Sequence, residues 1–260
     1  MIILKTAQEI ATIKEGGHIL SAILGELVAM ATPGVTTVDL DTHAERRMRE
    51  LGGEPSFKGY RTGRDVRPFP SSVCISLNDE VVHAPAVPSR VVTAGDLLKL
   101  DIGMRYKDLC TDMAITVPVG PVSDATRTLV RVTKESLLLG IEKARSGNWI
   151  SDIGKAVDKH VRRHGFSTVK DLVGHGVGKY VHEDPRIPNY FDPELAPVRI
   201  ESGMVLAIEP MVNIGAEDVV VQSDEWTVAT SDHTLSAHFE MTIAILDDGI
   251  VLMTPLPAGV

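Results

Sequence analysis

Two stretches of this chain repeat one design that few folds can accommodate. Each has a glycine, an alternating apolar run ending in a carboxylate, then a second carboxylate opening another alternating run. The first copy runs from Gly95 to Asp101 and is followed by the run from Asp112 to Val117; the second runs from Gly203 to Glu209 and is followed by the run from Glu240 to Ile245. Between the copies lies Gly174-His175-Gly176. Strands are depleted in Asp and Glu, and charges are rarely buried unpaired, so four acids adjoining strand-like runs need a common counter-charge. A pair of divalent cations would supply it, since carboxylate oxygens with one imidazole nitrogen suit manganese, iron, cobalt or zinc.

A chain of 260 residues with 43% hydrophobic content has enough apolar side chain to bury a full core, which excludes a disordered or fibrous protein. Its formal charge of −9 and pI near 5.5 argue against direct reading of nucleic acid, which calls for a basic stripe. The start of the chain has neither a basic nor a long apolar leader-like segment, and no run approaches a membrane span, so a cytoplasmic protein is expected. Cys74 and Cys110 are then expected to be reduced, although they could pair.

Periodicity organises the chain into two similar halves. Thr6 and Glu9 have the spacing of a capping box, and Ile10, Ile13, Gly17, Leu20, Leu24 and Leu27 continue it at helical spacing. A second helix is expected from Thr37 to the Gly52-Gly53 stop, followed by strands at Val73 to Leu77, Leu97 to Ile102 and Leu109 to Val117. The helical pair then recurs, from Ser123 to Arg145 and from Ser151 to His164, followed by strands at Val205 to Glu209, Trp226 to Ala229 and Leu235 to Ile245. Both halves therefore run helix, helix, strands, which implies one pseudo-symmetric α/β domain over 1–260, with halves of roughly 1–120 and 121–260 and a site between them.

In the first hairpin a turn near Tyr106 to Asp108 should bring Asp101 and Asp112 roughly opposite one another, within reach of one ion. The glycines at 174, 176 and 178 allow close backbone approach and leave the imidazole of His175 unobstructed. His182-Glu183 begins like the zincin helix motif, but Arg186 stands where that motif requires its second histidine. There is no Gly-x-Ser-x-Gly elbow and no Walker-type loop. The basic run Lys159 to His164 reads as a solvated helix end.

These residues together make the chain resemble the type I methionine aminopeptidases, in their short bacterial form. The resemblance rests on Leu100-Asp101-Ile-Gly, Thr111-Asp112, Gly174-His175-Gly-Val-Gly178, His182-Glu183, Ala207-Ile-Glu209-Pro-Met and Ser236-Ala-His-Phe-Glu240, and covers the chain to about Leu252. It implies the pita-bread fold, a curved antiparallel sheet covered by helices, with a dinuclear metal site between the halves. By this likeness Asp112 and Glu240 bridge two divalent metals, Asp101 completes the first, and His175 with Glu209 completes the second. His83 and His182 would contact the scissile amide without binding metal, Glu209 would shuttle the proton to the leaving amine, and His182 would steady the oxyanion. Phe57, Tyr60, Phe69, Cys74 and Trp226 would line a pocket for an unbranched, polarizable methionine side chain.

The implied activity is removal of the initiator methionine from peptides and nascent chains with a small second residue, by a monomer, with ribosome contact and no membrane. Three features depart from the family pattern: His83-Ala84-Pro85 for His-Gly-Ile-Pro, Glu240-Met241-Thr242 for Glu-His-Thr, and a longer connection from Arg61 to Arg67. An aminopeptidase of altered specificity and a non-catalytic peptide-binding module on the same fold are the alternatives; retention of all the expected ligands favours catalysis.

Overall fold

The helices form where the capping signals place them. In the computed structural model, which describes residues 1–61 and 67–259, α1 (Ala7–Met30) starts at a reciprocal cap. The Glu9 N–H donates to the Thr6 hydroxyl at 3.3 Å, and the Thr6 N–H donates to the Glu9 carboxylate at 2.8 Å. All six residues of its expected apolar stripe are buried. Thr36 and Asp39 cap α2 (Thr37–Glu50) in the same way. Ser123 caps α3 (Asp124–Lys143), and α4 (Ile150–Arg163) follows after Gly147, whose φ of 89° allows the chain to reverse.

Short strands precede the first long hairpin: β1 (Gly53–Pro55), β2 (Val73–Leu77) and β3 (Glu80–Val82), then β4 (Leu97–Tyr106) and β5 (Leu109–Pro118). The second half supplies β6 (Ser167–Thr168), β7 (Gly174–Gly176), β8 (Glu183–Ile187), β9 (Val205–Ile208), β10 (Met211–Asn213), β11 (Val219–Val221), β12 (Val228–Thr230), β13 (Ser236–His238), β14 (Glu240–Leu246) and β15 (Gly249–Leu252). Among the described residues the main sheet has nine strands, in the order β1, β4, β5, β14, β9, β7, β8, with β2 added to β4 and β15 to β14; every pairing is antiparallel.

Alternation along the strands divides this sheet into two unlike faces. Leu98, Leu100, Ile102 and Met104 of β4 join Met241, Ile243 and Ile245 of β14 in the main core beneath the helices, with Leu20, Leu24, Leu137 and Ile153. The intervening residues Lys99, Asp101 and Gly103 face the other way, and the site lies on that face.

Three differences from the sequence expectation have local causes. β4 continues past Ile102 to Tyr106, because the reversal needs only Lys107 and Asp108, both left-handed at φ 48° and 65°, as a two-residue hairpin turn requires. The run from Leu235 to Ile245 is two strands rather than one: β13 pairs with β10 in a small sheet, β14 joins the main sheet, and fully buried Phe239 sits at the corner. The strand expected from Trp226 begins at Val228, since the Asp224 carboxylate accepts the N–H groups of Trp226 and Thr227 at 3.0 and 2.8 Å and holds them in a turn.

Cys74 and Cys110 are free and buried. Among the described residues, no helix is long and apolar enough to cross a membrane.

Gly174-His175-Gly176 is itself a strand, threaded between β9 and β8. A Cβ on Gly174 would run into the carbonyl oxygen of Ala207, and one on Gly176 into that of Asp184. Gly176→Ala is therefore expected to lower the unfolding free energy by about 1–3 kcal/mol through overpacking. Urea denaturation measures this; an unchanged midpoint would mean the strand can move aside.

Candidate metal centre

Strand register turns scattered acids into one cluster. Cross-strand partners share a face, so Cys74, Asp101, Ala114 and Glu240 form one row across β2, β4, β5 and β14. Glu209 extends it, one residue beyond the Ile208–Met241 pair. The neighbouring row contains Gly103 opposite Asp112, then Thr242 opposite Ala207 and Ala207 opposite His175. Asp101 and Asp112 are thus diagonal, two residues out of register, rather than directly opposed. Small residues separate the ligating types: Ala114 between Asp101 and Glu240, Thr242 and Ala207 between Asp112 and His175. The space above them is the site.

Ligand atoms of Asp101, Asp112 and Glu240 lie within 4.8 Å of one another, as do those of His175, Glu209 and Glu240. His175 Nδ1 is 2.9 Å from the Gly176 carbonyl oxygen, to which it donates in the neutral ring, leaving the Nε2 lone pair towards the acids. That Nε2 is 3.3 Å from Glu209 and 4.0 Å from Glu240. Asp101 Oδ1, Asp112 Oδ1 and Glu240 Oε1 are buried and have no hydrogen-bond partner. Orphaned acceptors of this kind, with one imidazole among them, fit divalent cations. Asp101, Asp112, His175, Glu209 and Glu240 are the residues that would hold them.

Burial dominates the electrostatics. It pushes Asp101 up to about 7 and Glu209 up to about 8, with Glu209 adding to the rise of Asp101. Burial first and then the neighbouring carboxylates hold Asp112 and Glu240 well above the ordinary range. Burial also keeps the imidazoles neutral: His175 falls to about 3, with further repulsion from His182, and His182 falls to about 4.

A cavity of about 480 Å³ opens over the acids. All the pocket residues expected from the sequence reach it: Phe57, Tyr60, Phe69, Cys74 and Trp226, together with His83 and His182. Phe69 and Trp226 meet edge to face at 5.2 Å, and His182 Nδ1 is 2.7 Å from the Tyr60 hydroxyl. His83 takes a left-handed φ of 60° at the end of β3. Met241 goes elsewhere. Next to Glu240 in sequence, it points to the opposite face and is buried under the helices, so its thioether does not border the ligands. Ala84 is buried beside β2, its carbonyl accepting the Ile75 N–H at 2.8 Å. Most of the Arg61 to Arg67 stretch lies outside the described residues.

Sequence reasoning missed His238. It is 1% exposed, has no hydrogen-bond partner on either ring nitrogen, and places Nε2 3.5 Å from Glu209 Oε2. Thr116 fixes its backbone: the hydroxyl donates to the His238 carbonyl at 2.7 Å and accepts its N–H at 2.8 Å. The available signal was period two, because a residue two before Glu240 shares its face.

The chain is similar to known proteins over nearly its whole length. The profile of metallopeptidase family M24 matches residues 11–247. The chain is 43% identical over 254 residues to a methionine aminopeptidase of Clostridium acetobutylicum, covering 98% of this chain and 99% of the relative. It is 44% identical over 255 residues to methionine aminopeptidase 1 of Bacillus subtilis, covering 98% and 99%. The crystal structure of a methionine aminopeptidase from Thermotoga maritima superposes with a TM-score of 0.92 at 38% identity, covering 98% of this chain and 99% of that one.

The buried acids have a thermodynamic consequence. Buried His175, His182 and His238 are already neutral in the folded chain, whereas an unfolded imidazole is still about half protonated at about pH 6.5. These are outnumbered by Asp101, Asp112, Glu209 and Glu240, which retain protons that the unfolded chain has released. The folded state then binds more protons, so stability falls as pH rises. Metal-free protein is expected to melt at progressively lower temperature from about pH 6.5 up to about pH 8, with Glu209→Gln flattening the slope. Calorimetry across that range tests this; a constant melting temperature in the unsubstituted protein would refute the protonated acids.

Proposed function

Because the chain belongs to metallopeptidase family M24, we propose that it is a metal-dependent aminopeptidase of the pita-bread fold, removing N-terminal methionine from peptides and nascent proteins with a small second residue. The observation that carries this reading is the meeting, in one cavity, of the carboxylate and imidazole cluster with a wall of aromatic and soft side chains. Nascent chains leaving the ribosome in the cytoplasm are the substrates it implies, met by a monomer whose whole length forms the catalytic unit.

Asp101, Asp112, His175, Glu209 and Glu240 would hold two divalent ions. When bound, such ions polarise a carbonyl and make water a nucleophile near neutral pH. The chain's own groups do the rest. Phe69 and Trp226 receive the methionine side chain, with Cys74 beside Asp101 at the pocket floor. Glu209, at the boundary between ligands and cavity, takes a proton from the attacking water and passes it to the leaving amine. In the tautomer in which the Tyr60 hydroxyl donates to Nδ1, neutral His182 carries its proton on Nε2 and donates it in a hydrogen bond to the carbonyl oxygen as that oxygen gains charge. His83 contacts the same amide from the β3 side. The apolar wall restricts water around these groups, strengthening their electrostatic effect.

Metal-stripped protein resupplied with manganese, iron, cobalt or zinc is expected to release methionine from Met-Ala-Ser while leaving Leu-Ala-Ser and Ala-Pro-Ser intact. Folded protein silent on all three peptides with every ion would overturn the reading in favour of a peptide-binding module. His182→Ala is expected to lower kcat by about 10²–10³ with metal stoichiometry unchanged, as loss of an oxyanion donor does. Unaltered turnover would remove His182 from the mechanism.

A further inference from the structure

Among the described residues, one of the large side chains that is fully buried is a lysine. Lys99, 1% exposed, lies on β4 two residues before Asp101 and on the same face. Its ammonium donates to two main-chain carbonyls, Asn78 O at 2.8 Å and Ser236 O at 3.0 Å. Burial draws its pKa down to about 7, the opposing pull of Glu80 and Asp79 being the next influence. Burying an ammonium carries a desolvation cost that an apolar side chain of the same length avoids, and apolar replacements of buried charges are often tolerated or stabilising. A contribution to organisation would account for the charge here.

The two carbonyls belong to segments that converge on the site from different directions. Asn78, left-handed at φ 53°, forms the tip between β2 and β3. Its side chain donates to Asp96 Oδ1 at 2.9 Å and accepts the Leu97 N–H at 3.0 Å, while its carbonyl also accepts the Ser236 N–H at 3.1 Å. Five residues beyond Asn78 stands His83, at the end of β3. Ser236 opens β13, which leads through His238 to Glu240. Lys99 itself leads to Asp101. One ammonium therefore joins the approaches to His83, to Glu240 and to Asp101.

We propose that Lys99 is a positioning residue, an internal amine whose N–H donations clamp the Asn78 turn to β13 and so set His83 against Glu240 across the cavity. The catalytic part of this inference rests on the aminopeptidase reading; the clamp itself does not. Lys99→Met keeps the stem and removes the charge, and is expected to lower kcat/KM for Met-Ala-Ser about ten- to a hundredfold, the range seen when groups supporting metal ligands are lost. The fall should lie mainly in kcat, because the wall formed by Phe69 and Trp226 is untouched.

Lys99→Ala leaves a space facing both carbonyls, into which ammonium or methylammonium fits. These ions are expected to raise the melting temperature of the metal-free Ala variant, whereas tetramethylammonium, which has no N–H to donate, should not. The Met variant, with its space filled, should not respond. In the metal-loaded Ala variant the same ions should restore kcat. The melting experiment needs no peptidase activity, so failure of the aminopeptidase reading would leave it interpretable. A Met variant with unchanged kcat/KM, or an Ala variant that responds to tetramethylammonium as strongly as to methylammonium or to neither, would overturn the proposal. If the Ala variant does not fold, the kcat/KM of the Met variant decides.

Discussion

The folded chain gathers four carboxylates into two overlapping groups, Asp101 with Asp112 and Glu240, and Glu209 with Glu240 and His175, and leaves buried oxygens of Asp101, Asp112 and Glu240 without hydrogen bonds. In an ordinary core this arrangement would be rejected, because each orphaned acceptor carries its desolvation cost and like charges repel. Here the surroundings fix the acids in place. Asp101 and Asp112 lie on adjacent strands of one hairpin, Glu240 begins the strand across the seam, and Glu209 ends the next. The main core beneath the helices supplies the rigidity that keeps the cluster from relaxing. Stability on one face of the sheet thus sustains electrostatic frustration on the other, as expected where structure serves a bound ion.

The division of labour between faces also accounts for the individual substitutions. Met241 and Glu240 are neighbours in sequence and belong to different environments, so a thioether can replace an imidazole in the motif without entering the ligand cluster. His238 shares a face with Glu240 and supplies an imidazole beside Glu209 from another direction. Lys99 shares a face with Asp101 and meets main-chain oxygens instead of carboxylates. A motif comparison treats all three as nearby letters; the pleat separates them into core, site and support.

Much of this was legible before the structure, because it depended on local rules. The capping box at Thr6, the stripe along α1, a reversal near Tyr106 to Asp108 and the pairing of acids with alternating runs each follow from short-range geometry. What could not be read depended on distant partners. β7 and β8 are rich in Gly, Pro and charge, contrary to strand preference, and exist because β9 and one another accept them. The corner at Phe239 reflects which of two sheets claims each side of it. The two-residue stagger of Asp101 and Asp112 depends on where the hairpin closes, which moved when β4 extended to Tyr106. His238 and Lys99 were visible as residue types, but their roles required knowing what lay opposite.

The seam between β5 and β14 has one further consequence. Main-chain pairing there covers Glu240–Ala114 and Met241–Met113, after which β14 pairs with β15. At the fork the Thr242 hydroxyl accepts the Asp112 N–H at 3.1 Å and donates to the Asp112 carbonyl at 2.7 Å. A second hydroxyl assists it, that of Thr254, which accepts the Thr242 N–H at 2.8 Å and donates to the Asp112 carbonyl at 3.4 Å. The strand pair carrying Asp101 and Asp112 and the pair carrying Glu209 and Glu240 meet at this fork. The separation of Asp112 and Glu240 is thereby set by side-chain as well as main-chain bonds, so a change at Thr242, which ligates nothing, would be felt by two acids at once.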